Sequence, residues 1–294
     1  MRILHLDSGM ELRGGQWQAL RLAERLSKAG HRILFMAPRE SPSFQESKVL
    51  GLDTQPLTAL GVRKFSREFD ICHAHDARSH TLAALLSAAP LVVSRRVSFP
   101  VRGKLSRWKY SRPRRYIAVS NYVKKVLLAA GVGSEKISVV YDGVPLLPPS
   151  IASQRVVAID SADPRKGTAL AVEAARLAGV NLHLSKDLEF DLRDAGLFLY
   201  ISESEGLGSG ALLAMAAGVP VIASNVGGLP EIVKDSQTGL LTGNTPQEIA
   251  AAILRVRDDY DFARLLGARG RQMVEDRFSI ATMVNSTTRV YESC

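Results

Sequence analysis

Short apolar runs alternate along the chain with longer stretches in which apolar residues recur at helical spacing. Residues 3–6, 33–37, 71–74, 91–94, 116–119 and 137–140 are runs of four or five mostly apolar residues, the length of a buried strand. Residues 17–28 place Ala19, Leu20, Ala23 and Leu26 on one side of a helix closed by Gly30. Further helices are read at 81–88 and at 121–130, the second with Ser120 as N-cap and Gly131 as its stop. Strands alternating with helices predict an α/β fold built on a parallel, doubly wound sheet.

Three prolines within residues 144–151 interrupt the pattern and read as a linker. The alternation then restarts, with strands at 156–159, 181–184, 197–201 and 219–223 and helices at 168–177, 210–217 and beyond Pro246. The predicted organisation is a first domain over 1–147, a second domain over 148–277, and a closing segment over 278–294. Two such domains facing each other would leave a cleft between the carboxyl ends of their sheets, where ligands bind in this architecture.

Composition adds exclusions. With 294 residues, 46% apolar and 23% charged, the chain has material for packed cores and is not a disordered segment. Its most apolar stretches, 81–94 and 210–224, contain Pro90 and Pro220 and fall short of the roughly 18 residues a membrane span requires. The opening residues lack the pattern of a secretory signal, and Cys72 and Cys294 have neither disulfide nor zinc spacing, so a cytoplasmic location is expected. The net charge of +9 is uneven: no acid occurs between Asp76 and Glu135, where basic residues contribute +12. Such a field points to an anionic partner.

Four motifs lie where strands give way to helices. Arg13-Gly-Gly-Gln16 offers backbone amides to an anion at a helix N-terminus, or is a tight turn. His73-Ala-His75-Asp76 ends a strand and is followed by His80. With His75 at the carboxyl end it reads as a polar ligand contact, and although three histidines and an acid suggest a metal, H-x-H-D is not a specific zinc pattern. The bland alternative is one buried histidine and one exposed. Asp163-Pro-Arg-Lys-Gly167 puts two cations beside a helix start, a suitable cradle for a diphosphate. Finally, Ser202-Glu-Ser-Glu-Gly-Leu-Gly-Ser-Gly210 carries acids and alternating glycines into a helix, and the stretch continues through Ser224 to Glu231.

This last stretch resembles the signature of the retaining family 4 glycosyltransferases (glycosyl transferases group 1) of the GT-B fold, which use nucleotide-sugar donors. The likeness runs in order through Gly14-Gly15, 70–75, 116–121 with 139–144, Lys166-Gly167, 205–224 and the closing helix at 278–291. It implies two Rossmann-like domains facing across a cleft, the second shortened, with a closing helix over 278–294 that returns to the first. It implies that Gly14 and Gly15 lie near the donor phosphates and acceptor, that His75 lies near the sugar ring, and that Lys166 neutralises the diphosphate with Arg165 beside it. Glu205 would hydrogen-bond sugar hydroxyls, and Gly206, Gly208, Ser209 and Gly210 would line the phosphates. His75, Glu205 and Lys166 form the implied catalytic set. The sequence holds no DxD-type motif, so cations and helix N-termini are expected to serve instead of a metal, and no cofactor is expected beyond the nucleotide-sugar substrate.

Three departures from the family pattern stand out. Leu213 occupies the position of a second glutamate that contacts the ribose, Asp160-Ser161 replaces the usual Gly-Arg, and the span from Lys166 to Glu205 is short. They motivate an alternative: a catalytically degenerate GT-B protein that binds an anionic glycan, a membrane surface or a partner enzyme.

Residues 101–110 would place Val101, Leu105 and Trp108 on one helical face within a basic surround. Arg95, Arg96, Arg102, Lys104, Arg107, Trp108 and Lys109 are accordingly expected on an acceptor or membrane side, peripheral to an anionic surface. Nucleic-acid motifs do not accompany the charge. The expected function is glycosyl transfer, with retention and without a metal, from a nucleoside-diphosphate sugar to a lipid-linked, lipopolysaccharide or other cell-envelope glycan.

Overall fold

Central strands such as residues 71–74 and 91–95 are buried at every position, which is why the sequence reads there as mostly apolar runs rather than alternation. The computed structural model describes residues 1–101, 103–151 and 153–294. These divide into two units, Met1–Asp142 with Ile280–Cys294, and Gly143–Ser279.

The first unit holds strands β1 (Arg2–Leu6), β2 (Arg32–Ala37), β3 (Asp53–Pro56), β4 (Ile71–Ala74), β5 (Leu91–Arg95), β6 (Arg115–Ala118) and β7 (Ile137–Val139). All pair in parallel in the order β3-β2-β1-β4-β5-β6-β7. Its helices are α1 (Gly14–Lys28), α2 (Pro42–Val49), α3 (Ala59–Phe65), α4 (Ala77–Leu86), α5 (Lys104–Ser111) and α6 (Asn121–Ala129). The strand order reverses direction at β1 and β4, so the loops that leave these two strands flank the switch point where ligands bind in such sheets.

The second unit is a parallel sheet of β8 (Val156–Ile159), β9 (Leu182–Ser185), β10 (Leu197–Tyr200), β11 (Val221–Ser224) and β12 (Leu240–Thr242), ordered β12-β11-β10-β8-β9. Here the switch point lies between β8 and β10. Helices α7 (Thr168–Ala178), α8 (Leu188–Asp191), α9 (Ser209–Ala216), α10 (Leu229–Ile232), α11 (Pro246–Asp258) and α12 (Tyr260–Arg277) accompany it. The last helix, α13 (Ile280–Glu292), belongs to the first unit, where Met283, Val290 and Tyr291 join the core formed by Leu22, Leu26, Phe35 and Val92.

Several boundaries differ from the sequence reading. The units part at Asp142/Gly143 and Ser279/Ile280 rather than at 147/148 and 277/278. Val144 donates its N–H to the Phe278 carbonyl at 2.9 Å and so pairs within the second unit. Helix α1 begins at Gly14 rather than Trp17, which makes both glycines part of its first turn. Residues 42–65 hold α2, β3 and α3, none of which the apolar pattern announces: β3 is an edge strand of Asp-Thr-Gln-Pro, and α2 starts on Ser41, whose hydroxyl accepts the Phe44 N–H at 3.2 Å.

Candidate active site

In the second unit the loops leaving β8 and β10 are locked together at the switch point. The Arg165 carbonyl accepts the Glu203 N–H at 2.9 Å and the Ser202 hydroxyl at 3.1 Å. Gly167 stands at φ +61°, and a Cβ there would lie 2.6 Å from Ile201 Cγ2 and 2.9 Å from the Ile201 carbonyl oxygen, so only glycine permits this approach. The result is that the Lys166 ammonium donates to Oε1 of Glu205, the same oxygen that the Tyr200 hydroxyl reaches at 3.2 Å. Glu205 is buried, whereas the Lys166 side chain is 40% exposed. Burial and the Glu205 charge hold the Tyr200 phenol well above its usual range, which keeps it a donor.

The turn beyond Glu205 is shaped by glycines on both sides. Gly227, at φ +59°, brings its backbone so close that a Cβ would sit 2.0 Å from the Glu205 carbonyl oxygen, and the Gly228 N–H donates to that oxygen at 3.1 Å. Gly208 (φ +107°) precedes α9 without a side-chain cap, leaving the first-turn amides of Ser209 and Gly210 to an outside acceptor. Gly210 also packs against the Tyr200 ring, where a Cβ would meet Cε2 at 2.9 Å. Leu213, half-buried, lies one helical turn from Ser209 on the same face. Behind the turn, Ser202, Ser224 and Asn244 close a hydrogen-bonded ring: Ser202 N–H to Ser224 Oγ at 2.9 Å, Ser224 Oγ–H to Asn244 Oδ1 at 2.6 Å, and Asn244 Nδ2–H to the Ser202 carbonyl at 3.0 Å. Arg165 closes a two-pronged pair on Asp163 at 2.9 and 2.7 Å, and this hydrogen bond holds the Asp163 carboxyl at about 2. Tyr200 and Asn244 escape the sequence reading, and Ser224 and Gly227 fall within its last motif without an assigned role. The Gly-Gly step after β11 was the available signal for Gly227.

In the first unit the corresponding loops follow β1 and β4. His5 Nδ1 and His75 Nε2 are 2.8 Å apart, and His75 Nδ1 is 3.4 Å from Arg96 Nη1. A guanidinium only donates, so His75 accepts at Nδ1, donates from Nε2 to His5, and leaves the buried His5 Nε2–H without a partner. Arg96 Nε in turn donates to Asp142 at 3.2 Å. His73 is held by Tyr291 at 2.6 Å and Ser94 at 2.8 Å. Burial, reinforced by Arg96, holds all three imidazoles below their usual range, His5 at about 3, so they are neutral. Both His73 and His75 are interior, which excludes the alternative reading of one buried and one exposed ring. His80 stands apart from them, edge-on to Tyr110 with ring centroids 5.0 Å apart, and its place in the cluster is taken by His5. One nitrogen from each of His5, His73 and His75 lies within 4.8 Å of the others, yet hydrogen bonds to each other and to Tyr291, Ser94 and Arg96 already engage every ring nitrogen but His5 Nε2.

Asp76 caps α4, accepting the Arg78 and Ser79 N–H groups at 2.8 and 3.0 Å, and also accepts the Ser8 N–H at 2.6 Å, which pins the loop after β1. Buried Asp7 accepts the Gly9 N–H at 2.8 Å, and burial next to Asp76 pushes its carboxyl up to about 6. Gly14 and Gly15 open the fifteen-residue α1, and a Cβ on Gly15 would lie 3.5 Å from Arg96 Cδ. Arg96 and the first-turn amides of α1 thus share one locality.

The expected basic side needs correction at three residues. Arg95 is only 8% exposed, its guanidinium donating to the Tyr110 hydroxyl and the Phe99 carbonyl. Arg96 faces His75 and Asp142. Lys109 turns onto α4, donating to the Ala77 carbonyl and Thr81 Oγ1, each at 3.3 Å. The long stems of these residues pack inward because Tyr110, the Phe99 carbonyl, His75, Asp142 and α4 supply acceptors there. Arg107 and Trp108 remain exposed, while Arg102 and the side chain of Lys104 lie outside the described residues.

Comparison with known proteins agrees with this arrangement. The family model for Glycosyltransferase Family 4 matches residues 12–146, and that for Glycosyl transferases group 1 matches residues 169–273. An N-acetyl-alpha-D-glucosaminyl L-malate synthase of Bacillus anthracis is 36% identical over 97 residues, 32% of this chain and 25% of that protein. A GDP-mannose-dependent alpha-(1-6)-phosphatidylinositol monomannoside mannosyltransferase of Mycobacterium tuberculosis is 48% identical over 71 residues, 24% of this chain and 18% of that one. The matched stretch thus spans about a quarter or less of these relatives' length. The solved structure of Anabaena HepE in complex with UDP and glucose superposes with a TM-score of 0.89 over 100% of both chains at 17% identity, which makes the fold the same. With both family models matched in order and the GT-B-like pair of parallel sheets in place, the chain belongs to the family 4 glycosyltransferases.

Proposed function

We propose that this chain transfers a glycosyl group from a nucleoside-diphosphate sugar to a lipid-linked or other cell-envelope glycan, with retention of anomeric configuration. The observation that carries the reading is the Lys166–Glu205 pair at the second switch point, beside uncapped helix amides. As the bond from the anomeric carbon to the diphosphate breaks, the electron pair leaves with the diphosphate, the acceptor hydroxyl oxygen bonds to the anomeric carbon, and the hydroxyl's proton passes to the departing phosphate oxygen. Lys166 and the amides of Ser209 and Gly210 meet that growing charge, and they do so without a metal. Glu205 orients the sugar through its hydroxyls. In the first unit, Arg96 and the amides of Gly14 and Gly15 take the other substrate groups, and neutral His75 positions Arg96 rather than carrying charge itself.

A uridine donor is supported by the UDP complex of Anabaena HepE, and retention by membership of the family. Among the described residues no helix is long and apolar enough to cross a membrane. Leu213 favours a second reading, binding without turnover, because an isobutyl group stands where family members place a carboxylate. Calorimetric titration with UDP-, GDP-, ADP- and CMP-sugars, followed by nucleotide-release assays, separates the two. Binding with turnover supports transfer, binding alone supports the second reading, and silence across the set refutes the donor site.

A further inference from the structure

Helix α5 is built inside out for a surface helix. Its protein-facing side carries Tyr110 and Lys109, which pack on α4 through His80, Ala77 and Thr81. Its outward side carries the larger apolar groups: Leu105 is 86% exposed and Trp108 44% exposed. These two are three residues apart, hence neighbours on one helical face. Phe99 and Val97, just before the helix, are also exposed, at 49% and 42%. Isolated exposed apolar residues are ordinary, but two of the largest side chains on the outer face of an eight-residue helix, with two more in the segment leading to it, are not.

Charge decides what covers them. No acidic residue occurs between Asp76 and Glu135. Arg107 is exposed on the same helix, and the Arg112 guanidinium lies 6.0 Å from the Trp108 ring centroid. We propose that α5 docks this chain on an anionic lipid bilayer, with Leu105 and Trp108 entering the headgroup boundary and Arg107 and Arg112 meeting lipid phosphates. An indole at headgroup depth, a leucine below it and arginines beside them are the arrangement an interfacial helix uses. A nucleic acid would engage the cations but has no place for a leucine this exposed. The Arg95 contacts to Tyr110 and Phe99 hold the helix and the preceding segment together from beneath, so the apolar groups are presented by a fixed base. The proposal rests on the lipid-linked acceptor reading and supplies its mode of access.

The test is co-sedimentation of the full chain with vesicles of phosphatidylcholine alone and of phosphatidylcholine with about one third phosphatidylglycerol. Binding to the anionic vesicles, at least about tenfold stronger than to the neutral ones, is expected, with a blue shift of Trp108 emission read in a Trp17→Phe background. Leu105→Ser/Trp108→Ser and Arg107→Gln/Arg112→Gln are each expected to lower vesicle binding about tenfold or more. Equal binding to both vesicles, unchanged binding of the Leu105→Ser/Trp108→Ser variant, or retention by single-stranded RNA in place of vesicles overturns it. UDP titration of the same samples reads the second unit independently. Lost vesicle binding with intact UDP binding overturns the docking surface alone, and lost UDP binding with intact vesicle binding overturns the donor site alone.

Discussion

Lys166 and Glu205, separated by 39 residues in sequence, meet on Oε1 of the glutamate, and the other carboxylate oxygen has no donor among the described residues. One oxygen is fixed by the protein, and in the proposed function the other takes a sugar hydroxyl. The two residues therefore fail in different ways. Lys166→Ala removes the cation facing the diphosphate and is expected to lower kcat/KM by about 100-fold or more and to weaken UDP binding. Glu205→Gln keeps a hydrogen-bond acceptor for Tyr200 and is expected to raise the KM for the nucleotide sugar while UDP affinity changes little. Steady-state kinetics with UDP calorimetry checks both, and intact turnover in Lys166→Ala removes the site assignment.

Gly227 and Gly179 share a left-handed backbone, at φ +59° and +64°, but only Gly227 is crowded. A Cβ on Gly179 meets nothing within 4 Å, so Gly179→Ala is expected to cost about 1 kcal/mol for its backbone alone. Gly227→Ala drives a methyl into the Glu205 carbonyl, and should cost about 3 kcal/mol or more and abolish UDP binding. Thermal denaturation of the pair measures the difference. Equal melting temperatures would show that Glu205 is not held by this contact.

Asp7 gives the stability a dependence on pH. Its carboxyl titrates at about 6 in the folded chain against an ordinary 3.8, because burial beside Asp76 penalises the anion. The folded state then holds a proton that the unfolded chain has released, so stability falls as pH rises from about 4 to 6 and stays lowered above. Asp7→Asn lifts that penalty: the variant is expected to melt above the wild type at pH 8, by no more than about 3 kcal/mol, with the curves converging towards pH 4. The buried histidines act oppositely. Neutral when folded, they take protons only on unfolding, so both proteins lose stability as pH drops from about 6.5 towards the His5 value of about 3. Melting curves across this range check the two limbs.

Leu213→Glu restores a carboxylate on the face of α9 that also carries Ser209. If a nucleotide binds here, the variant should tighten UDP binding by about tenfold through the ribose hydroxyls, a charge-assisted pair being worth that much. Calorimetry of wild type and variant decides it, and weaker binding by the variant would place the ribose elsewhere.

Much of the fold was legible because buried parallel strands leave mostly apolar runs, and the switch-point loops carry glycines and charges that are visible without coordinates. The elements that escaped are those whose stability comes from caps and neighbours: β3 is polar, and α2 is set by Ser41 and Pro42 rather than by periodicity. Lys166 and Glu205 could be picked out singly, but their contact depends on two loops brought together by strand order. His5 was silent in the sequence because it lies 70 residues from His75 and becomes its partner only through the pairing of β1 with β4. Arg95, Arg96 and Lys109 show the limit of reading charge as surface, since a basic run does not say which stems turn inward.

The first unit is completed from the far end of the chain, where Tyr291 on α13 supplies the hydroxyl that holds His73 at 2.6 Å. A ribosome therefore releases the whole of residues 143–279 before it releases that tyrosine. During synthesis the later-encoded lobe has every residue it needs while the earlier one waits with its histidine layer unsealed and without the core residues that α13 supplies. Nascent-chain protease protection should accordingly appear first in the segment made second.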